Sequence, residues 1–147
     1  MTIQVLFLCP HSAGKSVLAA TYFTAAAARI GLSATADVAG PEPDDDLGPN
    51  VRNALHDQGF VEGWRPKLLG PQDVAHADLV VNIGCDRSAV VTDNPVIEWD
   101  VPLIDDDFQG AMTAIHELAE SLARDLERAH GCANDGPPST SKAMSST

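Results

Sequence analysis

FLCPHSAGKS, running from Phe7 to Ser16, is the stretch on which the fold turns. Just upstream, Ile3 to Leu8 is an apolar run with β-branched and aromatic members, the pattern of a buried parallel strand. Downstream, Ser16 to Ile30 is rich in alanine and closed by Gly31, which predicts a helix with a glycine stop. A strand that passes through a short loop into a helix opens an α/β fold.

The rest of the chain continues the alternation. Ala34 to Ala39 reads as a second strand, and Pro41 to Pro49 as an acidic, solvated loop. Pro49 to Gln58 reads as a helix ended by Gly59, and Gln72 to His76 as a short one. Leu79 to Ile83 and Pro95 to Trp99 supply two more strands. In the last helix Met112, Ile115, Leu118, Leu122 and Leu126 recur at steps of three and four, the spacing of one buried helical face. The order predicts a small doubly wound parallel sheet of about four strands flanked by helices. One domain is expected over residues 1–130, with 131–147 a disordered tail of Asn, Asp, Gly, Pro, Ser and Thr. Ligands of such sheets sit at the carboxyl ends of strands, which brings the Cys9–Ser16 loop, Cys85 and the Trp99–Asp107 loop to one rim.

The net charge of −12 speaks against nucleic acid or an anionic membrane as a partner. An anionic substrate then needs a local positive site. No apolar run approaches the ~18 residues of a membrane span. No basic region precedes the first apolar stretch, so no signal peptide is expected. The three cysteines, Cys9, Cys85 and Cys132, are odd in number and far apart, which points away from a secreted disulfide framework and toward a reducing cytoplasm. His56, His76, His116 and His130 lack metal-ligand spacing, so no metal and no bound cofactor is expected.

The amides of a tight loop running into a helix N-terminus form an anion cradle, and Lys15 adds a positive charge at its lip. A nucleotide-binding loop ends in Gly-Lys-Ser as this one does, with Asp86 as its offered Mg²⁺ partner, but Cys9 stands where that loop has its first glycine. In a second reading Cys9 is a nucleophile at the base of the cradle. A helix N-terminus and a nearby cation favour a thiolate, Ser16 can donate to the sulfur, and the amides can hold the oxygens of an oxyanion. In a third, Cys9 is a small buried hydrophobe.

Cys9-Pro10-His11-Ser12-Ala13-Gly14-Lys15-Ser16 resembles the active-site loop of the low-molecular-weight protein tyrosine phosphatase superfamily, which reads Cys, five residues, Arg, Ser. Within it the arsenate reductases, with C-V-H-N-A-G-R-S, are the most similar. Glu62 to Asp86, EGWRPKLLGPQDVAHADLVVNIGCD, is similar to the reductase stretch in which R-P-K leads to a strand ending M-G-C-G-D. Glu98 to Pro102, EWDVP, is similar to their W-D-L-P segment.

The resemblance implies a low-molecular-weight phosphatase-like fold with Cys9 as nucleophile. It implies an oxyanion site made of Pro10, His11, Ser12, Ala13, Gly14 and Lys15, and catalytic roles for Lys15 and Ser16. Cys85 takes the place of the reductase cysteine that attacks the Cys9–arsenic adduct, unless it is a buried core thiol. The substrate implied is arsenate, phosphate or a phosphorylated molecule, with a redoxin or a low-molecular-weight thiol such as mycothiol or glutathione as external reductant.

Four departures bear on that reading. Lys15 replaces an arginine, and a point charge replaces a planar fork that grips two oxygens. Ser12 replaces a bracing asparagine. Leu103 and Ile104 stand where the family has its Asp-Pro general acid, which leaves Asp105, Asp106 and Asp107 as a displaced acid, Asp105 first, or as a solvated loop. The reductases' further cysteine is missing. Cys132, on the tail, is the remaining thiol, and its composition favours an incidental residue. The expectation is an arsenate reductase-like thiol enzyme. The alternatives are a phosphatase of phosphate monoesters and an oxyanion-binding module with little turnover. Arg65 and Lys67 are expected to pin local structure, and Trp99 to belong to the core.

Overall fold

The computed structural model describes residues 2–59, 64–102, 104 and 106–135, with side chains to residue 129. The elements follow in the order β1 (Ile3–Leu8), α1 (Lys15–Ile30), β2 (Ala34–Ala39), α2 (Pro49–Asp57), α3 (Pro71–His76), β3 (Leu79–Asn82), β4 (Val96–Glu98) and α4 (Phe108–Asp135). A 3₁₀ turn, Arg87–Ala89, lies between β3 and β4. The four strands form one parallel sheet in the order β2-β1-β3-β4. β1 is therefore central, and its run of apolar residues is buried because neighbours flank it on both sides.

Side chains alternate across β1. Ile3, Val5, Phe7 and Cys9 join a first core cluster with α1, α2 and α4, while Leu6 and Leu8 join a second with Val74 of α3, Val80, Cys85 and Val90. Phe7, wholly buried, packs between Phe23 and Trp99 at ring centroid distances of 5.6 and 5.8 Å. Trp99 thus belongs to the core. Burying a side chain of this size contributes roughly 1.5–3 kcal/mol. The alanines of α1 let α4 approach closely, and an Arg29–Glu120 ion pair ties the two helices at the surface.

α4 begins at Phe108 because Asp107 caps it, accepting the Gly110 N–H at 2.9 Å. It passes through Gly131 to Asp135, so the backbone of 131–135 is helical where a tail was expected. Residues 136–147 lie outside the described residues.

Candidate active site

β1 ends at Leu8 and delivers Cys9 to the carboxyl rim of the sheet. The thiol is buried, and its Sγ lies 3.1 Å from Ser16 Oγ. The neutral thiol donates to that oxygen, and once the thiol has ionised the hydroxyl can turn and donate to the sulfur. The Ser16 backbone N–H already points at Sγ from 3.4 Å. The first turn of α1 therefore faces the sulfur.

The loop between them is turned inside out. The carbonyls of Pro10, His11 and Ala13 accept N–H groups of Glu42, Asp44 and Gly48 at 3.0, 3.0 and 3.3 Å, and that of Gly14 accepts from Leu18 at 3.0 Å. A trans peptide points its N–H opposite to its C=O. Tying the carbonyls of Pro10, Ala13 and Gly14 on one side sends the N–H groups of His11, Gly14 and Lys15 to the other. Among the described residues none of these three amides has an acceptor. Together with a helix N-terminus they make a site for an anion.

Ser12 holds the bend. It is fully buried with φ 52°, a left-handed conformation unusual for a residue with a side chain. Its Oγ accepts the Lys67 N–H at 3.1 Å, so serine braces the loop from the Arg65–Lys67 segment. Gly40 completes the brace. A Cβ there would come within 2.3 Å of the Cys9 carbonyl oxygen and 2.8 Å of that of Pro10, so only glycine lets β2 pass so close. Lys67 itself is anchored, its Nζ 2.8 Å from Asp73 and 2.9 Å from Asp37, and these two carboxylates hold its ammonium above the ordinary lysine range.

His11 faces away from the cradle. It is exposed, and its Nδ1 lies 2.9 Å from the Glu42 carbonyl oxygen and 3.6 Å from Asp44. It fastens the acidic loop rather than the sulfur, and its contribution to the cradle is its backbone. Lys15 reaches across the rim, with Nζ 3.2 Å from where a Gly84 Cβ would stand. Gly84, at φ 96°, gives the turn its sense and leaves that corridor open. Among the described residues no carboxylate pairs with Lys15.

Cys85 sits beyond that turn, buried in the second cluster. Burial pushes its thiol up to about 11, the charge of Cys9 adds to this, and Lys15 opposes it. In this arrangement it is a neutral thiol within electrostatic reach of Cys9. Asn82 holds its backbone on both sides, accepting from Cys85 N–H at 2.9 Å and donating to its carbonyl at 3.0 Å. Asn82 and Gly40 are the two residues of the rim that reading the sequence did not single out. A polar residue inside an apolar strand was the signal for Asn82.

The acidic segment resolves in part. Asp105 and Leu103 lie outside the described residues. Asp107 is engaged as the α4 cap, and Asp106 is exposed. Ile104 lies on the cradle, its Cδ1 only 2.7 Å from a Cβ built on Gly14. Asp86 caps the 3₁₀ turn, where the Ser88 N–H and hydroxyl hold its carboxyl below the usual range. Both bonds end on its Oδ1, and among the described residues no group of three or more His, Cys, Asp or Glu is placed to hold a metal ion. Among the described residues no helix is long and apolar enough to cross a membrane. The Cys132 side chain lies outside those described.

Known proteins share this architecture. The family model described as low molecular weight phosphotyrosine protein phosphatase matches residues 4–94. The thioredoxin-dependent arsenate reductase of Corynebacterium glutamicum is similar at 25% identity and a TM-score of 0.67, over 86% of this chain but 61% of that one. This chain thus spans less than two thirds of that reductase's length. An arsenate reductase from Archaeoglobus fulgidus is similar at 27% identity and a TM-score of 0.62, over 83% of this chain and 97% of that one. A low-molecular-weight protein tyrosine phosphatase from Bacillus subtilis has a TM-score of 0.73 at 19% identity, over 87% of this chain and 99% of that one, a likeness of fold alone. No curated protein sequence matches.

Proposed function

This chain belongs to the low-molecular-weight phosphotyrosine protein phosphatase family, and from that footing we propose that it is an arsenate reductase-like thiol enzyme. One observation carries the reading. Cys9 and Cys85 follow two adjacent parallel strands, β1 and β3, at one rim, and the Lys15 ammonium stands over the glycine next to Cys85.

In the proposed reaction the Cys9 thiol passes its proton to an arsenic-bound hydroxyl and attacks arsenic, an S–As bond forms, and that hydroxyl leaves as water. The amides of His11, Gly14 and Lys15, with the Lys15 ammonium, hold the remaining oxygens. The Cys85 thiol then gives its proton to an arsenic-bound oxygen and attacks Cys9 Sγ. An S–S bond forms and the S–As bond breaks with its electron pair on arsenic, which leaves as arsenite. Two thiols are oxidised and arsenic(V) becomes arsenic(III). An external dithiol or low-molecular-weight thiol in a cytoplasmic setting restores both cysteines.

A binding role without turnover is favoured by a different observation. Ile104 lies against Gly14 at the family's acid position, and Asp107 is occupied as a cap. A leaving alkoxide needs a proton, so ester hydrolysis is the poorer fit to the described residues. The test gives purified protein arsenate with several thiol donors, and separately an aryl phosphate, beside the Cys9→Ser and Cys85→Ser variants. Arsenate reduction should vanish in both variants. Full reduction by Cys85→Ser would remove the resolving role, and binding of arsenate without arsenite release would leave the binder.

A further inference from the structure

The turn that carries Cys85 is held in an unusual way. Asn82 is the last residue of β3, fully buried between Val81 and Ile83. A buried amide costs free energy unless its hydrogen bonds are made. Here they are made to two residues only. Oδ1 accepts the Cys85 N–H at 2.9 Å, and Nδ2 donates to the Cys85 carbonyl at 3.0 Å and to Glu98 Oε1 at 2.9 Å. The side chain thus grips both backbone groups of one residue, as a partner strand would, and is itself hooked to β4.

A core thiol needs no such grip. An apolar residue at 82 would fill the same space without a desolvated amide. What the grip does is fix where the Cys85 backbone lies, with the thiol turned into the cluster of Leu8, Val80 and Val90 and away from solvent. The outer end of the hook is accessible. Glu98 is more than half exposed, and its other oxygen lies 3.6 Å from Arg87 Nε, so this end can let go without opening the core. Gly84, with φ 96°, sits at the pivot of the turn.

We propose that Asn82 is a positioning residue that clamps the Cys85 turn, keeping this thiol in reserve until the Asn82–Glu98 hook releases it toward Cys9. The proposal deepens the reading given above and rests on Cys85 being the resolving thiol. The clamp makes the second thiol unavailable to solvent oxidants and alkylators while Cys9 waits for substrate.

The test is thiol-selective alkylation of the resting full-length protein with iodoacetamide at one pH, read residue by residue in a digest. Asn82→Ala removes every bond of the clamp, and its Cys85 should be alkylated at least about tenfold faster, the worth of one or two hydrogen bonds. Asn82→Asp turns a buried carboxylate oxygen against the Cys85 carbonyl and Glu98, and should speed Cys85 at least as much as Asn82→Ala does. Cys9 is the internal control, and its rate should not change. An unchanged Cys85 rate overturns the proposal, and so does a parallel rise at Cys9, which marks general loosening. Where Asn82→Ala fails to fold, Glu98→Ala decides. It removes the outer hook together with the Arg87 ion pair and a charge that disfavours the Cys85 thiolate, whereas Glu98→Gln removes the charge and keeps an acceptor for Asn82. Glu98→Ala should therefore exceed Glu98→Gln by roughly threefold at Cys85, and equal rates overturn the clamp. Arsenate plays no part in this readout, so failed arsenate reduction and a failed clamp are separate results.

Discussion

Ser12 Oγ accepts the backbone N–H of Lys67 at 3.1 Å, so the bend of the cysteine loop hangs on a segment 55 residues away in sequence. Ser12 is also the one non-glycine residue with positive φ among those described. A single hydroxyl therefore both closes a distant contact and holds a conformation that costs roughly 1–3 kcal/mol on its own.

Ser12→Ala leaves the Lys67 N–H without its acceptor at a part-buried position. It should lower stability by about 1–3 kcal/mol in urea unfolding and weaken phosphate binding at the same time. Stability lost with binding intact would mean that the brace does not shape the cradle.

Gly40→Ala drives a Cβ to within 2.3 Å of a backbone oxygen that cannot swing aside. The loop must shift, at a cost of about 1–3 kcal/mol. Affinity for inorganic phosphate should fall more than tenfold by calorimetry, because displaced amides no longer converge.

Lys15→Arg should strengthen the cradle. A planar fork supplies a second charge-assisted bond, worth ~1.5–3 kcal/mol, or roughly tenfold to a hundredfold in affinity. Titrating phosphate into Cys9→Ser proteins with and without the change isolates binding from chemistry. No gain would show that the Lys15 arm, held over Gly84, does not reach the anion.

Alkaline pH should expose the burial of Cys85. Burial raises it to about 11 in the folded chain from the 9.0 of an unperturbed thiol, so between these limits the unfolded chain loses its proton first. The unfolded state then binds fewer protons and stability falls as pH rises. The contribution is whole below about pH 9 and is lost by about pH 11, at most ~3 kcal/mol. Urea unfolding of the wild type and of Cys85→Ala at both ends of this window checks it. The gap between the two proteins should shrink toward high pH.

Asp107→Ala should cost about 0.5–2 kcal/mol as a lost helix cap. Turnover of either substrate should stay within a factor of two or so of wild type, by steady-state kinetics, because a capping carboxylate does not supply the proton. A collapse of aryl phosphate turnover in a protein of retained stability would restore Asp107 as the acid.

Local patterns were legible and distant ones were not. β1, α1, β3 and α4 follow from apolar runs and helical spacing, and the cysteine loop from a motif eight residues long. Trp99 as core and Lys67 as a local pin follow from the same reading, and both hold. Gly40 could not be read, since its need for hydrogen instead of a methyl arises where β2 crosses the loop. Asp107 satisfies both an acid and a cap on paper, and only the position of Gly110 separates them. His11 sits within the loop in sequence, yet its ring turns outward because the Glu42 carbonyl awaits it there.

The two faces of the sheet are unequally dressed. α1, α2 and α4 lie on the face that holds Cys9, while the face that holds Cys85 has the six-residue α3 and irregular chain. Regions with thin apolar cover open first in native-state hydrogen exchange. Cys9 thus stands on the more thickly covered layer and Cys85 on the more thinly covered one. Motion of Cys85 toward Cys9 can draw on local breathing of one layer, while the layer that shapes the anion cradle stays folded.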